Sequence, residues 1–531
     1  MLKQIAMHNN RVKVSYDYDS FYRSTKSVLL NTNYSLTTAY NWRQGTDSSH
    51  TSYMPSGQTE TLKNASNNTV ATTSLSYTYD VLGNIETISE GGVQRQKYYY
   101  DSLNQLIRED NLDLNKTFVY SYDLGGNITS TKEYAYQTGS TVTGTPTATN
   151  TYTYGDSNWK DKLTAYNGNT ITYDQIGNPL SYRNGFSFTW QKGRQLASAS
   201  NGTTSVSYTY NSDGYRTAKT INGTTTEYTL EGSKVLIEKS GSDYVWFYYD
   251  AAGAPVAMAT GSGPDLYIYR KNLQGDITGI YSGSTGTLLV SYVYDAWGKV
   301  TVTDVASTTE SATVLARNPF LYRGYRFDAE TGLYYLNSRY YAPESGRFIN
   351  ADSFVSTGQG VLGSNMFAYC ENNPANYVDN NGTDGDALVW WSSTMWWVCA
   401  IDGPFPLADI IFSTVTLVLT IESIKTIADG EPLAGDLPTI NDIDERDEEL
   451  TIAPPNPPPP SNKKKDDRKT KSENKTPRNN QAQNRQAKNA AKEAGLNKNQ
   501  KRLLHNEITG RGYSYREILE MAYEIKRMSV K

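Results

Sequence analysis

Residues 317–354 read RNPFLYRGYRFDAETGLYYLNSRYYAPESGRFINADSF, and after a glycine-rich turn residues 365–382 read NMFAYCENNPANYVDNNG. Tyr, Leu and Phe alternate here between Gly, Asn and Pro, the pattern of short strands joined by tight turns. Two turn motifs stand inside the run, Asp328-Ala329-Glu330-Thr331-Gly332 and Pro343-Glu344-Ser345-Gly346. Arg323, Arg326, Arg339 and Arg347 recur among the tyrosines. A guanidinium can stack on a tyrosine face and keep its fork for a carboxylate.

Upstream, from Tyr16 to about Lys299, a shorter unit repeats. Its clearest copies are Tyr77-Thr-Tyr-Asp80 before Gly83-Asn84-Ile85, Tyr98-Tyr-Tyr-Asp101 before Asn104-Gln105-Leu106, Tyr120-Ser-Tyr-Asp123 before Gly126-Asn127-Ile128, and Tyr173-Asp174 before Gly177-Asn178. Looser copies are Tyr208-Thr-Tyr-Asn211, Tyr248-Tyr-Asp250, Tyr269 before Gly275-Asp276-Ile277, and Tyr292-Val-Tyr-Asp295. The first spacings are 21 and 22 residues, Asp80 to Asp101 to Asp123. Alternating Tyr-x-Tyr puts both rings on one face of a strand. The Asp starts a turn by bonding its own downstream backbone, Gly-Asn supplies the positive φ, and the Ile or Leu begins the return strand. Each unit is a hairpin that cannot bury its face alone, so stacked copies make one long sheet. The polar runs Ser66–Thr73 and Gln137–Thr151 read as exposed loops.

The 317–383 stretch resembles the Rhs repeat-associated core of bacterial Rhs/YD-repeat proteins. The matching pieces are Tyr322-Arg323-Gly324, Glu330 to Tyr335, Arg339-Tyr340-Tyr341, Gly346-Arg347-Phe348, Asn372-Asn373-Pro374 and Asp379 to Gly382. The unit at residues 1–316 is similar to that family's YD repeat. The resemblance implies a mainly β fold: strands coiled into a shell around a C-terminal toxic domain, closed off by the core. About 300 residues of repeat imply only part of such a shell, the rest lying upstream or in another chain. In many members the core is an aspartyl self-protease that cuts after an Asp-Pro-x-Gly-Leu element. Asp352 matches the first family aspartate. Gly363-Ser364 stands where the second is expected, and Asp379-Asn380-Asn381-Gly382-Thr383 lacks the Pro and the Leu. One carboxylate cannot make a dyad. Asp352 is therefore expected to be a structural turn residue, and self-cleavage would need Asp384 or Asp386 in place of the missing partner.

Beyond Asp384 the composition changes. Residues 384–430 hold Trp390, Trp391, Trp396 and Trp397 and two apolar runs too short to span a bilayer, separated by Asp402 and Asp409. This segment reads as an apolar pre-toxin hinge. Residues 431–480 carry an acidic run, a proline block (Pro454, Pro455, Pro457–Pro460) and a basic run, a composition that buries no core and reads as linker. Residues 481–531 read as three helices, the last opened by the capping box Ser514-Tyr515-Arg516-Glu517 and carrying Ile518, Met521, Ala522 and Ile525 on one face. From Ser461 the tail has 19 Lys and Arg against 8 Asp and Glu, a charge of +11 on a chain of −5, which leaves −16 for the rest. A basic module favours a polyanion. Arg502, His505 and Glu507 lie close together in it: His505 as general acid or base, Glu507 as its partner and Arg502 as a phosphate clamp would suit metal-independent RNA cleavage.

Two cysteines, Cys370 and Cys399, exclude a disulfide scaffold, and His8, His50 and His505 are not at metal-ligand spacing, so no cofactor or metal is expected. Tyr is used 43 times against 12 for Phe. That suits a thin, half-wet sheet better than a dry core. Met1 to Tyr16 has no apolar leader, so the chain reads as the C-terminal part of a larger protein, secreted or on the cell surface. The function expected is a polymorphic toxin of interbacterial competition, its effector a nuclease acting on nucleic acid and guarded by an immunity protein. The alternative is a non-enzymatic surface protein whose exposed Tyr-rich repeats bind carbohydrate or neighbouring cells.

Overall fold

The computed structural model describes residues 2–387 except 8–11, 21–22, 32, 45–50, 262–265, 354–361 and 384–385, and beyond them Lys492, Leu496, Lys501, Leu504 and Ile518. The chain divides into two units, Met1–Gly435 and Asp436–Lys531. The Trp-rich segment from 388 and the linker lie outside the described residues, as does Cys399. In the second unit Lys492, Lys501, Leu504 and Ile518 are helical, each inside one of the three expected helices, and Leu496, Leu504 and Ile518 are buried.

The first unit is a meander in strict chain order. Fourteen strands, Gln4–Met7 to Asn169–Thr170, form one sheet, and twelve, Ser187–Gln191 to Val300–Asp304, form a second. Isolated bridges Tyr173↔Pro179 and Ser181↔Ser187 carry the meander from one to the other. Sequential hairpins allow this because each YD turn sends the next strand back beside its predecessor. The Ser66–Thr73 run is not the expected loop. It is a turn at Asn64–Asn68 followed by the start of strand Thr69–Tyr79. Of the 137–151 run, Ala148–Thr153 is a strand.

The repeat unit has one geometry. Asp80 Oδ1 accepts the backbone N–H of Leu82 and Asn84 at 2.9 and 2.8 Å, and its Oδ2 accepts Asn84 Nδ2 at 2.9 Å. Asp101, Asp123 and Asp174 repeat this pattern. Gly83 takes φ +85°, and in the copy without a glycine Asn104 takes +61°, the left-handed conformation both residue types tolerate. A β-bulge falls just before the last tyrosine of the unit, between Thr78 and Tyr79, Tyr99 and Tyr100, and Ser121 and Tyr122.

That last tyrosine explains the excess of Tyr over Phe. Tyr79, Tyr100, Tyr122, Tyr154, Tyr210, Tyr249 and Tyr294 each donate their hydroxyl to a backbone carbonyl of the preceding hairpin, at Pro55, Ile85, Leu106, Ile128, Leu196, Val235 and Ile277, over 2.5–2.9 Å. Trp190 does the same with its indole N–H at Pro179. A buried carbonyl left unpaired costs roughly 1–3 kcal/mol, and phenylalanine cannot pair it. The repeat tyrosines therefore face inward, into a core that includes Tyr77, Tyr98, Tyr120, Tyr269 and Tyr294, and not onto the wet surface their number suggested. The outward face carries hydroxyl pairs instead, such as Thr78–Thr87 and Thr189–Ser198.

Candidate functional site: the core stretch and its carboxylate–arginine cluster

After the second sheet, helix Thr309–Arg317 opens on a capping box between Thr308 and Ser311. The core stretch follows as four short strands, Arg326–Asp328, Leu333–Leu336, Arg339–Ala342 and Arg347–Phe348. It runs along the turn ends of both sheets and takes hold of one repeat turn after another. Asn373 Nδ2 donates to Asn84 Oδ1 at 3.1 Å, Asn372 Nδ2 to Gln105 Oε1 at 2.9 Å, and Asn365 Nδ2 to Asn127 Oδ1 at 2.8 Å. These are the amides that close the Asp80, Asp101 and Asp123 turns. On the second sheet Tyr322, Tyr341 and Tyr334 donate their hydroxyls to the carbonyls of Ala296, Trp297 and Gly298. Arg323 pairs with Asp276 at 3.0 Å, and Asp328 is held by both guanidinium nitrogens of Arg216 at 2.6 and 3.0 Å and by Lys219 at 3.0 Å. Burial alone would raise the Asp328 carboxyl, but Arg216 and Lys219 hold it well below the usual carboxylate range.

The expected pairing of arginines with tyrosines is present. Arg216 lies over Tyr335, Arg323 over Tyr322, and Arg326 over Tyr228, Phe247 and Phe320 while it pairs with Glu238. To hold these contacts the chain turns through three successive left-handed residues, Cys370, Glu371 and Asn372, at φ 50°, 52° and 62°. Such backbone persists only where its surroundings over-determine it. Here Asn372 and Asn373, bonded to the repeat turns, do so. Cys370 is a free, buried thiol whose pKa burial pushes up.

Asp352 is buried, and the structure gives it a partner that sequence reasoning missed. Arg339 Nη2 lies 2.9 Å from Asp352 Oδ2 and 3.0 Å from Asp379 Oδ2. The second carboxylate at Asp352 thus comes from the Asp-x-x-Gly element itself. Asp384 lies outside the described residues, and Asp386 is described only as backbone of strand Asp386–Ala387. The signal was present in the sequence, since Asp379 begins the matched element. Proximity to Asp352 follows only from the fold, which brings residue 379 back beside strand Arg339–Ala342.

The same cluster grips one peptide group from both sides. Arg339 Nε and Ser338 Oγ both donate to the Gly382 carbonyl, and Asp379 Oδ1 accepts the backbone N–H of Gly382 at 2.6 Å and of Thr383 at 3.1 Å. Only glycine fits at 382: its φ is +71°, and a Cβ would stand 2.5 Å from the Leu336 carbonyl. Burial pushes Asp379 up to about 6, with Asp352 adding to the rise, while Arg339 and the Thr383 and Gly382 amides oppose it. Among the described residues no His/Cys/Asp/Glu cluster could hold a metal, and no helix is long and apolar enough to cross a membrane. Arg502, His505 and Glu507 lie outside the described residues, so the structure neither joins nor separates them.

No family model matches the chain. It is 32% identical over 291 residues to the tRNA3(Ser)-specific nuclease WapA of Bacillus spizizenii, an alignment covering 53% of this chain and 12% of that protein. It is 25% identical over 312 residues to double-stranded DNA deaminase toxin A of Burkholderia cenocepacia, covering 59% of this chain and 17% of the toxin. The crystal structure of TcdB2-TccC3-Cdc42 shares the fold, with a TM-score of 0.53 and 18% identity over 72% of this chain and 21% of that one. The chain thus spans less than a fifth of the length of these curated relatives. A sequential YD-turn meander whose turns are bonded to an Arg/Tyr-rich core defines a class of β-shell protein. The chain is similar to proteins of the Rhs/YD-repeat, polymorphic-toxin type.

Proposed function

We propose that this chain is the closing section of an Rhs-type shell that carries a C-terminal effector, residues 481–531, delivered in competition between bacteria. One observation carries the reading: the core stretch ties itself to turn after turn of both sheets, and the chain then leads to a basic module of unrelated composition. The relatives support it by their names, one a tRNA nuclease and the other a DNA deaminase toxin, both acting on nucleic acid. In this reading the effector cleaves RNA, with His505 as acid or base, Glu507 as its partner and Arg502 on the phosphate. An immunity protein guards the producer, the protein acts from outside the cell, and upstream repeats complete the shell. The test is induced expression of residues 384–531 in a bacterial cytoplasm beside His505→Ala, following growth and RNA integrity. Growth arrest with cut RNA, lost in the variant, is expected; unimpaired growth with intact RNA would overturn the reading.

A second reading rests on the grip around Gly382. A carbonyl held by two donors and an amide N–H against a carboxyl make a peptide group prepared for hydrolysis. In this reading Asp352 takes a proton from water, the hydroxide adds to the Gly382 carbonyl carbon, and protonated Asp379 gives its proton to the leaving nitrogen of Thr383. The products are a C-terminal carboxylate at Gly382 and a free amine at Thr383. The mass of the purified chain held at pH 5–6 tests it. Two fragments from the wild type and an intact Asp352→Asn are expected; an intact wild type leaves the cluster as a structural clasp.

A further inference from the structure

The repeat turns of the two sheets share one hydrogen-bond pattern but not one environment. In each turn the opening Asp or Asn accepts backbone N–H groups two to four positions on, and the N–H of the very next residue finds no partner inside the turn. In the second sheet, side chains of the first sheet take up three of these spare donors. The N–H of Ala251 donates to the Tyr16 hydroxyl at 2.8 Å, that of Leu273 to the Tyr77 hydroxyl at 3.3 Å, and that of Ala296 to Glu109 Oε2 at 2.8 Å. The turn tips go in with them. Leu273 is 9%, Ala296 5% and Trp297 3% exposed, and the Trp297 ring meets Tyr120 of the first sheet edge-on at 5.8 Å. The core stretch holds the other side of the last of these turns, through Tyr322 and Tyr341 on the Ala296 and Trp297 carbonyls.

The first sheet's turns are held from the core side alone, by Asn373, Asn372 and Asn365. Their spare donors, the N–H groups of Val81, Ser102, Leu124 and Gln175, have no partner among the described residues. Their tips are apolar and bare: Leu82, Leu103 and Leu124 are 58%, 54% and 98% exposed, with Val81 and Ile176 exposed beside them. Turn tips ordinarily carry Gly, Asn, Asp or Ser, and apolar side chains that gather on a surface mark an interaction site. The two rows also agree in pitch. Asp250, Asn272 and Asp295 open the seated turns 22 and 23 residues apart, and Asp80, Asp101 and Asp123 open the bare ones 21 and 22 apart. Each step is one hairpin, so the teeth of both rows stand about 9–10 Å from one another.

We propose that the first-sheet tips Val81, Leu82, Leu103, Leu124 and Ile176 are a docking row for the inward face of one further repeat sheet, built from repeats that precede this segment in a longer chain. The seated row gives the chemistry of that face: Tyr hydroxyls or Glu carboxylates set among aromatic rings, an acceptor for each spare N–H and an apolar hollow for each tip. The direction of the known seam gives the source. There the tips of the later sheet enter the face of the earlier one, so the tips of the first sheet enter the face of the sheet before it. The acceptors Tyr16, Tyr77 and Glu109 of a second copy are already taken by its own second sheet. The alignments cover 12% and 17% of two relatives, whose length leaves room for such repeats. The proposal rests on the reading that upstream repeats complete the shell and is independent of what the effector does.

The test compares residues 1–531 with the longer natural chain that includes the preceding repeats. Hydrogen exchange is followed in peptides spanning turns 80–84, 101–105 and 123–127, with turns 272–276 and 295–299 as the seated standard. In the 531-residue chain the first-sheet turns are expected to exchange faster than the standard, and in the longer chain to slow roughly tenfold. Leu103→Ser combined with Leu124→Ser changes only exposed side chains. It should leave the unfolding midpoint of the 531-residue chain unchanged and lower that of the longer one. Equal exchange in the two chains, or an equal effect of the double substitution in both, would overturn the proposal. So would protection that grows with the concentration of the 531-residue chain alone, which makes the partner a second copy, and so would a natural chain that begins at Met1. An inert 384–531 tail breaks the reading of the effector and leaves these outcomes as they stand.

Discussion

The core stretch holds the two sheets by different chemistries. Against the first sheet it uses neutral amides, Asn365, Asn372 and Asn373 on Asn127, Gln105 and Asn84. Against the second it uses charge, Asp328 on Arg216 and Lys219 and Arg323 on Asp276, with tyrosine hydroxyls between. Amides demand matched positions but do not titrate. Ion pairs tolerate less loss, because removing one partner strands a buried charge. The first interface is thus fixed by the repeat's own turn residue, Asn or Gln, whereas the second requires residues particular to each turn. This matches the sequence, where the first-sheet turns are regular and the second-sheet turns are degenerate.

The largest expected effect strikes the charged interface. Asp328→Ala leaves Arg216 buried without its carboxylate, while Lys219 keeps Glu330, and should cost about 3–5 kcal/mol in denaturant unfolding. A loss no greater than that of a surface change would break the comparison. The same interface should respond to acid. The folded Asp328 carboxyl lies below its unfolded value, so its contribution is present above about pH 4 and disappears as pH falls through the folded value. The amide interface should show no such step. Exchange protection in strand Arg216–Ile221 compared with strand Ile85–Glu90 between pH 6 and pH 3 checks this.

On the amide side, Asn373→Ala removes the bond to Asn84 and should cost about 1–3 kcal/mol, unchanged by pH. A smaller effect is expected within the repeat itself: Tyr100→Phe leaves the Ile85 carbonyl without its hydroxyl donor and should cost about 1 kcal/mol. Thr78→Ala, on the outer face, should fall within about 0.5 kcal/mol in the same unfolding measurement.

The hairpin meander was legible because the YD unit encodes its turn locally: Asp bonds its own downstream amides, and Gly accepts the positive φ. What the tyrosines do was not legible. Their carbonyl partners lie in the preceding hairpin, and only the bulge before each Tyr aims the hydroxyl there. Helix Thr309–Arg317 was missed because its box closes on Ser311 where Glu or Gln is the usual sign. The run Arg108-Glu109-Asp110-Asn111 is buried although its composition reads as surface. Arg108 pairs with Asp110 within the strand at 2.8 Å, while Glu109 and Asn111 bond across to the second sheet, and no local pattern announces either. Of the candidate sites, Asp352 was legible as a residue but not as a cluster. Its partner Asp379 is 27 positions away, and the two meet at Arg339.

The core stretch and both sheets form one structure through the repeat turns. Exchange protection across the full chain, in wild type and in Asp328→Ala, tests it most directly. The variant is expected to lose protection together in strand Arg216–Ile221, in the core strands from Arg326 to Phe348 and in the first-sheet turns held by Asn365 and Asn373. Loss confined to the neighbourhood of Arg216, with the first-sheet turns as protected as before, would contradict it.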